Sequence, residues 1–237
     1  MLNSRYSETG FSLIELLVGI TIVGILFMLG VPSFKSWIQN SQIRTATEVI
    51  QNGLELARAE AVRRNTLVRF QLTSTVDNSC TLTTANGSWV ISLDDPSAKC
   101  GNAKLNEAFP VSDAVNNPPP RIIQIRSGRE GSANTVVASQ EVTPTGGAVA
   151  TPVYNGSITF NGMGRISSTT TPASVNAGDN IQIDITNPNI GGACVSAGGA
   201  MRCLRVVISS GGLIRSCNPI WSSNPASINP KYDPQGC

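Results

Sequence analysis

Apolar residues form a nearly unbroken run from Phe11 to Val31, and one carboxylate, Glu15, lies inside it. A helix of about 20 residues rises ~1.5 Å per residue and spans ~30 Å, the thickness of a bilayer core. A secretory signal peptide has a shorter apolar core with a small-x-small cleavage site behind it, and the segment from Pro32 to Lys35 offers no such site. A buried core helix is usually shorter too, so the run predicts a single membrane-spanning anchor.

The next segment, from Phe34 to about Arg64, keeps a helical pattern with only one apolar side. Apolar residues recur at steps of three and four and indicate a single stripe: Ile43, Ala46, Ile50, Leu54, Ala57 and Ala61. A bend is expected at Pro32, because proline removes a backbone donor and crowds the preceding turn. The two patterns predict one long helix, apolar all round over residues 11–31 and amphipathic over 32–66.

From residue 67 onward the pattern changes to short alternating or β-branched runs between turn-forming residues. These runs predict half-buried antiparallel strands: Leu67–Leu72, Trp89–Leu93, Arg121–Arg126, Thr135–Ala138, Ser157–Phe160, Asn180–Thr186 and Leu204–Ser209. The stretch SITFNGMGRIS predicts a hairpin that turns at Asn161–Gly164. The predicted fold class is therefore α+β: a long N-terminal helix, membrane-spanning in its first half, packed on one antiparallel β-domain over residues 67–237.

Composition removes several classes of function. The chain has no histidine, which excludes histidine general bases, Ser-His-Asp triads and His-containing zinc sites. Charged residues make up 14% and the net charge is +2, which does not favour bulk nucleic-acid binding. Asp94 and Asp95 are adjacent, so on a strand they would point to opposite faces, and a turn at Asp95-Pro96 explains them better. We expect no enzymatic activity, no cofactor and no metal site.

The chain has six cysteines, all beyond the apolar run: Cys80, Cys100, Cys194, Cys203, Cys217 and Cys237. An even count behind an export-type segment indicates three disulfides in an oxidising compartment, which places the bulk of the chain outside the cytoplasm. The alternatives are free buried thiols in a cytosolic protein, or metal binding, which the absence of a CxxC pair disfavours. Six cysteines allow 15 pairings, of which the sequential set is the simplest. In that set a C-terminal disulfide loop from Cys217 to Cys237 carries Trp221 and Tyr232.

Glu15 is an unusual residue for its place, because a carboxylate deep in a spanning helix costs on the order of 2–4 kcal/mol. If the chain were cut between Gly10 and Phe11, a new α-amino group would stand one helical turn from Glu15. The carboxylate could then pair with that amine on its own chain or on a neighbour, and such a pair fixes the register of packed helices. The alternative is that Glu15 only reaches to the membrane interface from the second turn of the helix.

The octapeptide Gly10-Phe11-Ser12-Leu13-Ile14-Glu15-Leu16-Leu17 resembles the processing site of type IV prepilins. The resemblance implies that residues 1–10 are a leader removed by a prepilin peptidase, that Phe11 is N-methylated, and that Glu15 serves filament assembly. It also implies other pilins as partners through the N-terminal helix. The chain would first be a single-pass protein of the bacterial inner membrane with a periplasmic domain, and later part of a filament or its tip.

The segment IRTATEVIQNGLELARAEAVRRNTLVRF further resembles the GspH/FimT family of minor pilins and pseudopilins. This implies a minor pilin in the priming or tip complex of a type IV pilus, or alternatively a tip pseudopilin of type II secretion. A third alternative is a DNA receptor, since FimT-type receptors carry a Gly-Arg-x-Arg element. The matching place here, Gly212 to Arg215, keeps Arg215 but has Leu213 at the first arginine, with Arg202 and Arg205 nearby in sequence.

Overall fold

A computed structural model describes residues 11–168, 175–187, 194–195, 198–199, 201–221 and 233–237, without the side chains of 29–33. One helix, α1, runs from Leu13 to Arg64. The strands are β1 (Val68–Leu72), β2 (Trp89–Ser92), β3 (Ile122–Arg126), β4 (Val136–Val142), β5 (Ser157–Phe160), β6 (Asn180–Thr186), β7 (Leu204–Ile208) and β8 (Ile214–Cys217). The chain divides into two units, one that ends at Ile38 and one over Gln39–Cys237.

In the first unit, α1 exposes its apolar side chains. The exposed fraction is 79% for Leu13, 50% for Val18 and 81% for Met28. Phe34 and Trp37 are also exposed and stack with their ring centroids 5.7 Å apart. Pro32 lies within the helix, but its side chain is outside the described set, and so is the whole predicted leader 1–10. Within the described residues there is no helix with the length and hydropathy needed to cross a bilayer.

In the second unit, the stripe predicted from the sequence is the buried face of α1. All six of its residues are at most 4% exposed: Ile43, Ala46, Ile50, Leu54, Ala57 and Ala61. They belong to one core together with Phe70 of β1 and the isoleucines of β6. The prediction of a helix packed on an antiparallel β-domain is therefore confirmed. The helix ends at the Arg64 that the pattern indicated.

Two four-stranded antiparallel sheets make up the β-domain, in the orders β3-β2-β1-β5 and β4-β6-β7-β8. Strand β2 is buried at every position, while β4 alternates between exposed and buried residues at its start. Strand β2 in the first sheet is therefore covered on both faces, whereas β4 in the second sheet has one covered and one open face.

The structure corrects two of the strand predictions. Strand β4 continues to Val142 instead of ending at Ala138. Ser139 and Glu141 are polar but buried, so the alternation of apolar and polar residues that predicts a strand is interrupted after Ala138. Strand β8 was missed, since its sequence IRSC has one aliphatic residue and gives no period-2 signal.

The predicted hairpin after β5 forms its turn, but the residues after the turn do not form a second strand. The Asn161 amide donates to the Arg165 carbonyl at 2.9 Å, and the Gly164 amide donates back to the Asn161 carbonyl at 2.8 Å. Beyond the turn, a single bridge joins Phe160 to Ile166.

At Gly53, α1 lies tightly against the first sheet. A Cβ atom at this position would lie 2.9 Å from both the Phe70 and the Trp89 rings. Alanine gains about 1 kcal/mol over glycine in a helix, but overpacking a tight core costs about 1–3 kcal/mol. We therefore expect Gly53→Ala to lower the free energy of unfolding, as measured by chemical denaturation of the purified chain.

The matched control is Asn52→Ala on the exposed side of the same helical turn. It keeps the gain in helix propensity without the contact, so its denaturation midpoint should equal or exceed that of the wild type. A Gly53→Ala chain as stable as the Asn52→Ala control would show that the Phe70 and Trp89 rings are not tightly packed on the helix.

Candidate functional site

Helix α1 begins with a cap that ties Glu15 to its first turn. The Ser12 hydroxyl accepts a hydrogen bond from the Glu15 backbone amide at 3.2 Å, and the Ser12 carbonyl accepts one from the Leu16 amide at 3.2 Å. Ser12 is thus the N-cap, and Glu15 is the third residue of the helix, the arrangement of a capping box. A carboxylate in the first turn also interacts favourably with the helix dipole.

The sequence reasoning assigned a role to Glu15 but overlooked Ser12. The signal was present in the sequence, since a serine three residues before a glutamate marks a helix start. Gly10, the residue before the predicted cleavage point, lies outside the described residues. Phe11, the predicted new N-terminus, is 84% exposed.

The three arginines considered for DNA binding do not form a free cationic cluster. Arg205 pairs with Asp184 at 2.6 Å across neighbouring strands. Arg215 donates to the carbonyl oxygens of Gly236 and Cys237, at 3.5 and 3.4 Å. Arg205 and Arg215 share a face of β7 and β8, but both are engaged within the chain. Arg202 is exposed, and its backbone amide binds Asn40 at 2.8 Å.

All six cysteines are paired, and the pairs are sequential: Cys80–Cys100, Cys194–Cys203 and Cys217–Cys237. The first pair is fully buried in a small core of its own with Val90 and Ile122. Trp221 closes the base of the C-terminal loop, because its carbonyl accepts from the Cys237 amide at 3.0 Å. Tyr232, the other aromatic residue predicted on that loop, lies outside the described residues.

The adjacent carboxylates Asp94 and Asp95 have separate structural tasks. Asp94 forms a bidentate pair with Arg121, at 2.7 Å to Nε and 2.6 Å to Nη2. The hydrogen bond from the Arg121 side chain holds the pKa of Asp94 below its ordinary value of 3.8, although burial opposes the shift. Asp95 instead accepts bonds from the amide and hydroxyl of Ser97, at 3.0 and 2.7 Å, which is a turn geometry.

The lowered pKa of Asp94 predicts an acid-dependent stability. A carboxylate that titrates lower in the folded chain stabilises the fold fully above its ordinary value of 3.8, and this contribution is lost as the pH falls below that value. We expect Asp94→Asn to be less stable than the wild type near pH 7 and the difference to shrink between about pH 5 and pH 2. Chemical denaturation across this range tests it, and a difference that is independent of pH would contradict the assignment.

Glu141 is a buried carboxylate that the sequence reasoning did not single out. One oxygen accepts from the backbone amides of Val153 and Tyr154, at 2.8 and 3.2 Å, and the other accepts from the amide of Asn176 at 2.5 Å. The Tyr154 hydroxyl is buried and contacts Ser139 at 3.0 Å. Burial raises the pKa of Tyr154, and the bond to Ser139 opposes the rise. The hydrogen bonds of Glu141 and Ser139 connect β4 to two loops, so these polar groups stabilise the fold.

Among the described residues, no group of three or more His, Cys, Asp or Glu side chains is placed to hold a metal ion. A cavity lined by described residues measures about 390 Å³ and is bordered by the Cys194–Cys203 disulfide. It is bordered by Met201, Arg202 and Trp221 and contains no pair of ionisable groups that could act as acid and base.

Comparison with solved structures gives two crystal forms of the type IV minor pilin FimU from Pseudomonas aeruginosa (strain PAO1). One has 16% sequence identity and a TM-score of 0.38, covering 73% of this chain and 86% of that one. The other has 15% identity and a TM-score of 0.37, covering 73% and 90%. No curated protein matches the chain.

Two family models match, and together they cover most of the chain. The prokaryotic N-terminal methylation motif matches residues 5–31, which include the predicted processing site and Glu15. The model described as type II transport protein GspH matches residues 46–212, well over half of the chain, from the buried stripe of α1 to the turn before β8. The chain therefore belongs to the GspH family of type IV minor pilins and pseudopilins.

Proposed function

We propose that this chain is a minor pilin of a type IV pilus and takes part in the priming or tip complex through its N-terminal helix. Its family consists of structural subunits that associate with other pilins in a pilus or pseudopilus, and its methylation motif is that of a membrane-anchored, pilus-associated protein.

One observation carries the proposal: a single helix meets two different environments. In the first unit its apolar side chains are exposed, as at Leu13 (79%) and Phe27 (67%), whereas Ile43 and Leu54 in the second unit are fully buried. Exposing such a run to water is unfavourable by roughly 1.5–3 kcal/mol for each large side chain. The first half therefore needs an apolar partner outside the chain, first a bilayer and later the helices of neighbouring subunits.

Removal of the leader would create a positively charged amine at Phe11, which can pair with the Glu15 carboxylate in an assembled helix bundle. We propose that a prepilin peptidase cuts after Gly10 and that the new amine at Phe11 is N-methylated. Glu15, one helical turn away, then neutralises this amine on its own chain or on a neighbour. Residues 11–31 would hold the chain as a single-pass protein of the inner membrane with the β-domain in the periplasm. This single span stays a prediction.

The alternative within the same family is a tip pseudopilin of type II secretion, and the description of the matching family model favours it. Deleting the gene separates the two functions. A pilus subunit is required for surface filaments that can be sheared off and counted, whereas a secretion subunit is required for release of exported proteins into the medium. Loss of secretion with normal piliation would contradict our proposal and establish the alternative.

Two functions, catalysis and DNA binding, are not expected of this chain. We propose that the chain is not an enzyme, because its paired and buried carboxylates, Asp94 and Glu141, are committed to structural contacts. DNA binding is disfavoured, because phosphate recognition needs several free cations and two of the three candidate arginines, Arg205 and Arg215, are engaged, which leaves Arg202. A gel shift of the purified chain with DNA across a salt series tests this, and a salt-sensitive complex would contradict it.

A further inference from the structure

We propose that the cavity of about 390 Å³ bordered by the Cys194–Cys203 disulfide binds an acidic sugar, a hydroxylated ring that carries one carboxylate. We call this cavity, between the segments 194–203 and 218–221, the loop cavity. Its volume lies within the range of about 300–1,000 Å³ that sites for small molecules occupy. The inference goes beyond the proposed function and does not depend on it, because a pilus subunit and a secretion subunit would carry the same site.

Two segments closed by disulfides form the walls of the loop cavity. One bridge closes the segment just before β7, the other begins at the end of β8, and these two strands are paired. On the first wall the Val195 amide donates to the Met201 carbonyl at 2.8 Å, and on the second the Asn218 amide donates to the Gln235 carbonyl at 2.8 Å. Walls that are already fixed lose little conformational entropy when a ligand binds.

Polar side chains of the lining keep hydrogen-bonding groups that the chain does not use. Oδ1 of Asn218 accepts from the Ile220 amide at 3.1 Å, but its side-chain nitrogen has no partner among the described residues. Gln235 is exposed, and its bonds to described residues are made by its backbone. A side-chain amide offers both donors and an acceptor, which matches sugar hydroxyls, since each of these also donates and accepts.

An apolar surface accompanies these polar groups in the lining of the loop cavity. It is formed by Val195, Met201, Pro219, Ile220 and Trp221. A sugar ring has C–H groups on its faces and hydroxyl groups at its edge, so a face can pack on an indole while the edge forms hydrogen bonds. A lining that mixes an aromatic ring, aliphatic groups and amides therefore suits a hydroxylated ring better than a hydrocarbon.

Arg202 indicates the charge of the ligand. It is exposed, and its backbone amide donates to Asn40 at 2.8 Å, but within the part of the chain that the structure describes its guanidinium pairs with no carboxylate. It is the one ionisable side chain among the described residues of the lining, where both cysteines are bridged. A guanidinium binds a carboxylate through two parallel hydrogen bonds. One cation balances a carboxylate but not a phosphate monoester, whose charge is about −1.5 to −2.

The test is a titration of the purified full chain, in a detergent without a sugar headgroup, followed by saturation-transfer NMR of the added compound. D-glucuronate and D-galacturonate carry the ring, the hydroxyls and the carboxylate. D-glucose lacks the carboxylate, and cyclohexanecarboxylate lacks the hydroxyls. We expect at least one of the two uronates to bind with a Kd on the order of 1 mM. Glucose and cyclohexanecarboxylate should each bind about tenfold or more weakly, because either leaves polar groups of the cavity unpaired.

A matched pair of substitutions ties the binding to the loop cavity. Arg202→Gln keeps the backbone bond to Asn40 and should weaken uronate binding about tenfold, to the level of glucose, with glucose binding unchanged. Arg129→Gln, at an exposed arginine in the turn after β3, should bind uronate as the wild type does. The proposal is overturned if neither uronate binds, if all probes bind equally, or if the two substitutions have equal effects.

Discussion

Glu15→Ala is expected to leave leader removal intact and to reduce incorporation into filaments by roughly two orders of magnitude. In an assembled bundle of apolar helices, the amine of Phe11 would lose its carboxylate partner. Removing one member of a buried ion pair costs about 3–5 kcal/mol, and the lower end of this range already corresponds to that factor at equilibrium. The measurement is the amount of the chain in sheared filaments relative to the amount of processed chain in the membrane.

The structure provides the control that separates ion pairing from helix capping. Glu15 also stands third in a helix whose first turn is capped by Ser12. Ser12→Ala removes the cap, which costs about 1 kcal/mol, and keeps the carboxylate. We expect it to reduce incorporation by about fivefold at most. Equal losses for the two variants would show that Glu15 acts by starting the helix, and normal incorporation of Glu15→Ala would refute the register argument.

Replacing both Cys80 and Cys100 with alanine is expected to cause the largest loss of stability among single-disulfide variants. The bridge closes a loop with a sequence separation of 20, worth about 3 kcal/mol in the chain-entropy model. Both residues are also fully buried with Val90 and Ile122, so their removal leaves a cavity whose cost adds to that loss. Chemical denaturation of the purified full chain in detergent measures the change in the free energy of unfolding.

The pair Cys194–Cys203 is the matched comparison. Its sequence separation is 9, and each doubling of loop length is worth only about 0.6 kcal/mol, so the chain-entropy difference is small. Cys194 is only partly buried, so its pair leaves a smaller cavity on removal. We expect a distinctly smaller loss for the alanine variant of this pair. A loss equal to that of Cys80–Cys100 would mean that the small core around Cys80 contributes little.

The helix was predictable from the sequence because its signals are local. The stripe from Ile43 to Ala61 repeats with the helical period, and every member is buried in the second unit. The strands with clean alternation, such as Asn180–Thr186, were placed to the residue. Strand β8 could not be found in this way, because IRSC becomes a strand through pairing with β7. Such tertiary pairing leaves no periodic signal in a four-residue segment.

Among the candidate site residues, too, only those with a signal in the local sequence could be predicted. The importance of Glu15 follows from the cost of a carboxylate in an apolar run. The engagement of Arg205 by Asp184 could not be foreseen, because the two residues are 21 positions apart and meet only across two strands. The close approach of Gly212 to the Gly164 carbonyl oxygen likewise depends on two separate turns that meet only in the fold, and no sequence pattern reports it.

Intact-mass analysis of the native protein, purified from membranes or filaments, tests the central claim most directly. The account predicts one species that begins at an N-methylated Phe11, lacks residues 1–10, and has all six cysteines oxidised to disulfides. A native chain that retains Met1, or that begins at a residue other than Phe11, would contradict the account of a processed filament subunit.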